Sequence, residues 1–312
     1  MSREEWQLRI ALADALSSAI RWVVGRRHAA ILVYHKIDYE LFEAHVERLM
    51  QLYHIVPLDR LVHAIRRRDW SEMPPQSLVI TFDDGHKSFA HLEPVIRRYE
   101  LPVTQFLVSG GVGTNRHCWT SEVAAEHKNG LKRMNREKRL DWLRRNLGYE
   151  PGIEYPDREM LNREEIHCLM RAGVQFGAHT ITHEELTTCS DGVAQCEVLG
   201  SKSQLEDMLG VPIAHFAYPS GSYSMRDVEY VRQAGFCSAR TMDRGWNGID
   251  SDCFRLKDIG PGDGLTVSQL GHLELISMLR RVEKALERTK ECVKTPLRML
   301  RGDNQAKYKG RL

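Results

Sequence analysis

Strand-like and helix-like runs alternate along most of this chain, and that alternation limits its fold more than any other feature. The apolar runs "AAILVY" (29–34), "SLVITF" (77–82), "PVTQFLVS" (102–109), "VQFGAH" (174–179), "IAHFAYP" (213–219), "FCSAR" (236–240) and "FRLKDIG" (254–260) read as strands. Between them lie helical patterns such as "DYELFEAHVERLMQLY", "LDRLVHAIRRR" and "REEIHCLMRAG". Asn162 is placed to cap the last of these, with Gly173 at its C-terminal end. Pro94 kinks or ends the first part of the helix in "KSFAHLEPVIRRYE". "TVSQLGHLELISMLRRVEKALER" (266–288) reads as one long closing helix. Strands alternating with helices imply βαβ units and a parallel sheet. Seven such units suggest an α/β barrel, closed or nearly so.

Residues 111–160 break the rhythm, being rich in charge and poor in strand signal. They read as a helical insertion in a βα loop, on the face where barrels carry active sites. The insertion either covers the site or decorates the surface. The domain reading is therefore an N-terminal amphipathic helix (1–27), a barrel (28–290) with its insertion, and a basic tail (291–312). In the N-terminal helix the apolar residues fall at 6, 10, 13, 16, 20, 23 and 24. Such a stripe either packs on the barrel or lies in a membrane interface, with Trp6 and Trp22 near its ends and Arg26 and Arg27 closing it. No run is long and apolar enough to span a bilayer.

A net charge of +2 over 312 residues does not call for a nucleic-acid partner. Seven cysteines with no CxxC pair argue against a disulfide framework and a cysteine-based zinc site. Free thiols and the N-terminal pattern lead to an expected cytoplasmic location, with peripheral contact at the inner membrane face as the sharper alternative. The oligomeric state is not fixed by the sequence.

Three motifs end strands. "TFDDG" (81–85) holds Asp83 and Asp84, "HTITH" (179–183) holds His179 and His183, and "FAYPSG" (216–221) holds Tyr218, Pro219, Ser220 and Gly221. Two imidazoles four residues apart plus a carboxylate suit zinc or a similar divalent ion with one position open for chemistry. Two adjacent acids can divide the work, one as ligand and the other as general base. Gly85 lets the chain turn sharply there.

In order and spacing, these motifs resemble the first three of the polysaccharide deacetylases, carbohydrate esterase family four, over roughly residues 29–260. The resemblance implies a distorted (β/α)7 barrel and one divalent metal: zinc first, with cobalt or nickel as alternatives. It also implies hydrolysis of an N-acetyl group from an amino sugar. By position, Asp83 would be the base, and Asp84, His179 and His183 the metal ligands. The Ser220 N–H would bind the oxyanion, with Tyr218 and Pro219 beside it. Two family features are missing. Ala217 stands where the third motif usually has a base-orienting Arg, leaving Arg240 or Arg255 as substitutes. The late Leu-x-His is absent too. His35, in "ILVYHK", instead resembles the early Tyr-His of poly-N-acetylglucosamine deacetylases. That leaves His35 as either the general acid or a structural hydrogen-bonding group. His86 reads as a neighbour of the site and not a ligand. Trp246 either stacks on sugar or anchors a loop. The competing readings are a glycan-binding barrel without catalysis and a metal-dependent hydrolase of a small N-acyl metabolite.

Overall fold

A computed structural model describes the backbone of residues 3–279 and the side chains of 12–279. The closing helix beyond 279, Cys292, the tail 291–312 and the Trp6 side chain lie outside these limits. Ten strands form one sheet: β1 His28–Tyr34, β2 His54–Ile55, β3 Ser77–Phe82, β4 Thr104–Leu107, β5 Gln175–Ala178, β6 His215–Ala217, β7 Ser238–Arg244, β8 Asn247–Gly248, β9 Leu256–Asp258 and β10 Gly260–Pro261. The main path runs β10-β1-β3-β4-β5-β6-β7-β9, all parallel. β2 adds parallel to β3, and β8 pairs antiparallel with the start of β1. The Ile259 N–H donates to the Ile31 carbonyl at 2.9 Å, between β9 and β10, so the path nearly closes on itself. The expected barrel is present. Its seventh strand, "FRLKDIG", is split into β9 and β10.

β3 is buried at every position, as expected of a parallel strand covered on both faces. Leu78, Ile80 and Phe82 join the cluster shared with the surrounding helices. Val79 joins a second cluster with Ile31, Phe106, Ala217 and Leu256. The period of two then carries Val79, Thr81 and Asp83 on one face, so the acid continues the inner row.

Several local expectations resolve in detail. Asn162 and Glu165 form a reciprocal capping box. Pro94 begins a helix, Glu93–Arg98, after a 3-10 turn at Lys87–Leu92. Proline suits the first turn because its missing N–H has no partner there anyway. The closing helix is interrupted: Val267–Leu270 is capped by Thr266, and the chain becomes helical again from 273. The Gly271 carbonyl at the break accepts from the Arg21 guanidinium at 2.8 Å.

Arg21 also pairs with Glu274 at 2.8 Å and lies over the Tyr53 ring. One face of the N-terminal helix, Arg3–Val24, is thereby fixed to the barrel. Leu12, Leu16, Trp22 and Val23 stay exposed on it. Among the described residues no helix is long and apolar enough to cross a membrane.

The insertion builds three short helices, Trp119–Glu122, Ala125–Lys132 and Arg136–Leu147, around a small core of Trp119, Val123, Leu131, Leu143 and Tyr149. It is tied to the site. Trp119 Nε1–H donates to the His183 carbonyl at 3.2 Å, and Leu161 N–H donates to the Gly85 carbonyl at 2.8 Å.

Candidate active site

The end of β3 separates its two acids by a reversal of backbone hand. Asp83 N–H still donates to the Tyr34 carbonyl, continuing the ladder. Asp84 then takes φ 71° and Gly85 φ 81°. A Cβ on Gly85 would come within 2.6 Å of Leu107, so both the angle and the space call for glycine. The two carboxylates consequently meet different partners. Asp84 Oδ1 lies 3.6 Å from His179 Nε2 and 3.3 Å from His183 Nε2. Asp83 Oδ2 accepts from the Arg240 guanidinium.

His179 directly follows β5, and its Nδ1 sits 2.8 Å from the Ala217 carbonyl. That contact fixes Nδ1 as the protonated nitrogen and leaves the Nε2 lone pair facing Asp84. The loop between the two histidines is held by Glu197, which accepts from the Ile181 and Thr182 amides and the Thr182 hydroxyl. Thr180, His183 and Ser220 share Asp84's left-handed backbone. Four of the seven non-glycine residues with positive φ among those described therefore cluster here. Such conformations persist where the surroundings over-determine them, and they concentrate at functional sites.

One ligand atom each from Asp84, His179 and His183 lies within 4.8 Å of the other two. A carboxylate oxygen and two imidazole nitrogens, one oriented by a backbone carbonyl, are a donor set that fits a divalent cation. Burial pushes the His179 imidazole down to about 4, so it is neutral as a ligand must be. Burial opposes charge on Asp84 as well, yet the His183 hydrogen bond and both imidazoles hold its carboxyl well below the usual range.

The arginine that meets Asp83 comes from β7 and not from the third motif. Arg240 is buried, bonds Asp83 and lies 3.5 Å from Asp258 on β9. Burial alone would raise the Asp83 carboxyl, but Arg240 keeps it below its ordinary value and so ionised. Arg255 instead pairs with Asp252 at 2.8 Å.

His35 ends β1 and opens onto the same cavity of about 680 Å³ as Asp83, Asp84, His179, His183 and Ser220. Its Nδ1 lies 2.9 Å from Asp263 Oδ2, while Asp263 Oδ1 accepts from the His35 amide at 2.6 Å. Burial works against a charged His35. The Asp263 hydrogen bond, with Asp83 and Asp84 nearby, outweighs it and raises the imidazole to about 9. In the sequence Asp263 is an ordinary turn acid in "GPGDG", and nothing local ties it to His35.

The candidates grouped with Ser220 separate. Ser220 lines the cavity, and its hydroxyl donates to Glu185 at 2.6 Å. Tyr218 points into the core, stacks on Tyr223 and donates its O–H to the Phe254 carbonyl at 3.2 Å. Pro219 is buried at the start of a 3-10 turn. Trp246 lies outside the cavity. After β7 the chain reverses at Gly245 so that β8 can pair with His28 and Ala29, which carries Trp246 into a separate depression with Arg27, His28 and Tyr223. The insertion supplies much of the cavity wall, including His117, Lys128, Lys132 and Glu159.

The polysaccharide deacetylase family model matches residues 71–239, more than half of the chain. The chain belongs to the polysaccharide deacetylase family. It is thereby an N-deacetylase of the hydrolase class. A poly-β-1,6-N-acetyl-D-glucosamine N-deacetylase from Staphylococcus epidermidis is 23% identical over 236 residues, 64% of this deacetylase and 79% of that protein. Among solved structures, IcaB from Ammonifex degensii superposes with TM-score 0.59 at 17% identity, covering 80% of this chain and 97% of the other. Streptococcus pyogenes deacetylase PplD in complex with acetate gives 0.59 at 16% identity, covering 78% and 96%. At these identities the structural likeness speaks for the fold.

Proposed function

We propose that this deacetylase hydrolyses the N-acetyl group of an amino sugar in a glycan or glycan precursor, with a divalent metal, zinc first, held by Asp84, His179 and His183. The observation that carries this reading is one cavity presenting an ionised acid oriented by arginine, a metal-type donor set and a histidine charged through its own carboxylate. A divalent cation in that donor set would supply Lewis acidity to the water and the amide carbonyl. Asp83 takes a proton from the attacking water as its oxygen bonds to the carbonyl carbon. The Ser220 turn faces the developing oxyanion. His35, protonated and held by Asp263, donates to the amide nitrogen as the C–N bond breaks, leaving acetate and a free amine. An amine is a poor leaving group unless protonated, which is why a donor is needed on the far side from the base.

The glycan-binding reading drew on the missing arginine and the missing late histidine. Arg240 and the His35–Asp263 pair occupy those roles in this reading, and no observation favours a binder. The deciding experiment is acetate release from N-acetylglucosamine oligomers by purified protein supplied with zinc, cobalt or nickel. No acetate with any metal would end the proposal.

We further propose a cytoplasmic location, with peripheral contact at the inner membrane face as the sharper alternative. Six unpaired cysteines among the described residues support the first, and exposed Leu12, Leu16, Trp22 and Val23 on a helix followed by Arg26 and Arg27 support the second. Cell fractionation that recovers an exported form would count against it.

A further inference from the structure

The wall that the insertion adds to the cavity carries a charge imbalance that the chemistry above does not use. Three acids line this wall, and each has a basic partner. Glu159 lies 3.7 Å from Lys36, Asp157 lies 4.0 Å from Lys87, and Glu122 lies 2.7 Å from His117. Two further cations, Lys128 and Lys132, line the same cavity from the helix Ala125–Lys132. Neither has an ion pair or a side-chain hydrogen bond among the described residues. They stand four residues apart on one face of the helix, where like charges repel. Both are half-buried, so water screens them less than lysines on an open surface. Both lysines line the same cavity as Asp83, His179 and His183. The unmatched charge therefore borders the cavity that holds the reacting centre.

Resting on the deacetylase reading, we propose that Lys128 and Lys132 bind an anionic group of the substrate, so that the preferred substrate is an N-acetylated amino sugar bearing a phosphate ester or diphosphate and not a neutral glycan. Two ammonium groups one helical turn apart match a doubly charged phosphoryl group better than a single carboxylate, and lysine serves well as a point-charge partner for phosphate. The cavity of about 680 Å³ has room for a sugar with such a group attached. The phosphoryl group would belong to either a nucleoside-diphosphate sugar or a prenyl-diphosphate-linked sugar.

Binding is measured by calorimetry on the Asp83→Asn protein, in which turnover should be slow enough for binding to be read. The probes are N-acetylglucosamine 1-phosphate and the neutral disaccharide of N-acetylglucosamine. The phosphate should bind at least about tenfold more tightly than the disaccharide, with a preference that weakens as salt rises. Lys128→Gln with Lys132→Gln should cut that ratio by about tenfold or more, while Lys128→Arg with Lys132→Arg should keep most of it. Acetate release by the wild-type protein is then compared on neutral oligomers, a nucleoside-diphosphate sugar and a short prenyl-diphosphate sugar. A higher kcat/KM on either charged substrate supports the proposal and names the source. A binding ratio near one, or a ratio unmoved by removing both charges, overturns it. In that case acetate from the neutral oligomer would leave the deacetylase reading standing. Acetate from none of the three overturns both.

Discussion

The metal-type triad and the two carboxylate partnerships beside it are built in opposite ways. Asp84, His179 and His183 sit in two short motifs, and the backbone around each motif does most of the positioning through left-handed turns. The Asp83–Arg240 and His35–Asp263 pairs join residues 157 and 228 positions apart, the first between the distant strands β3 and β7, the second where β1 meets β10. Local motifs can supply ligands because a metal gathers its own donors. A base and an acid need partners aimed from fixed directions, and the barrel provides these from elements far apart in sequence. The triad should accordingly govern whether metal is retained, and the long-range pairs whether retained metal is used.

That division can be broken at its strongest point first. His179→Ala with His183→Ala should abolish both bound metal and acetate release. Metal retained at normal stoichiometry by elemental analysis would remove the triad from its role. Asp83→Asn should leave metal content near normal while turnover falls by ~10²–10⁴. A parallel loss of metal would merge the two classes. A smaller effect is expected of Arg240→Lys, which keeps the charge between buried Asp83 and Asp258 but loses the planar fork. Its kcat should fall about 10–100-fold with KM and metal content little changed. Thermal unfolding is the control, since a variant that removes this charge altogether would leave buried Asp83 without its cation, whereas Asp258 keeps Arg244.

The mildest test is a shift in pH dependence. His35 is raised to about 9, so its protonated form is fully present below the ordinary histidine value and is lost as pH rises through about 9. The alkaline limb of kcat/KM should fall there. Asp263→Asn removes the carboxylate that raises His35, and the limb should move down toward ~6.5. A limb that stays put would detach His35 from proton donation. The same pair contributes to stability below that range and releases its contribution as pH climbs through it.

The two construction styles also explain what the sequence disclosed. Strand runs and the acid and histidine motifs are local patterns, so the barrel and the triad could be read from them. The split of "FRLKDIG" and the break at Gly271 could not, because each depends on contacts with distant elements, Ile31 in one case and Arg21 in the other. Arg240 could be named only as one of two candidates, since nothing near it points to Asp83. Trp246 stayed open between sugar platform and loop anchor because an aromatic in a sequence carries no sign of which side of a barrel it occupies; it is half-buried against the main core, away from the cavity. Asp263 carries no local sign of its role, because its partner His35 lies 228 positions away.

The His35–Asp263 bond spans the seam where the first strand of the barrel meets the last. The triad does not depend on that bond: its donors come from residues 84, 179 and 183, with His179 set by the Ala217 carbonyl. Loosening the seam would therefore separate His35 from its carboxylate and leave the donor set in place. In mild denaturant, acetate release should fall before bound metal is lost. The seam then acts as the latch on turnover, and the donor set as the latch on the ion.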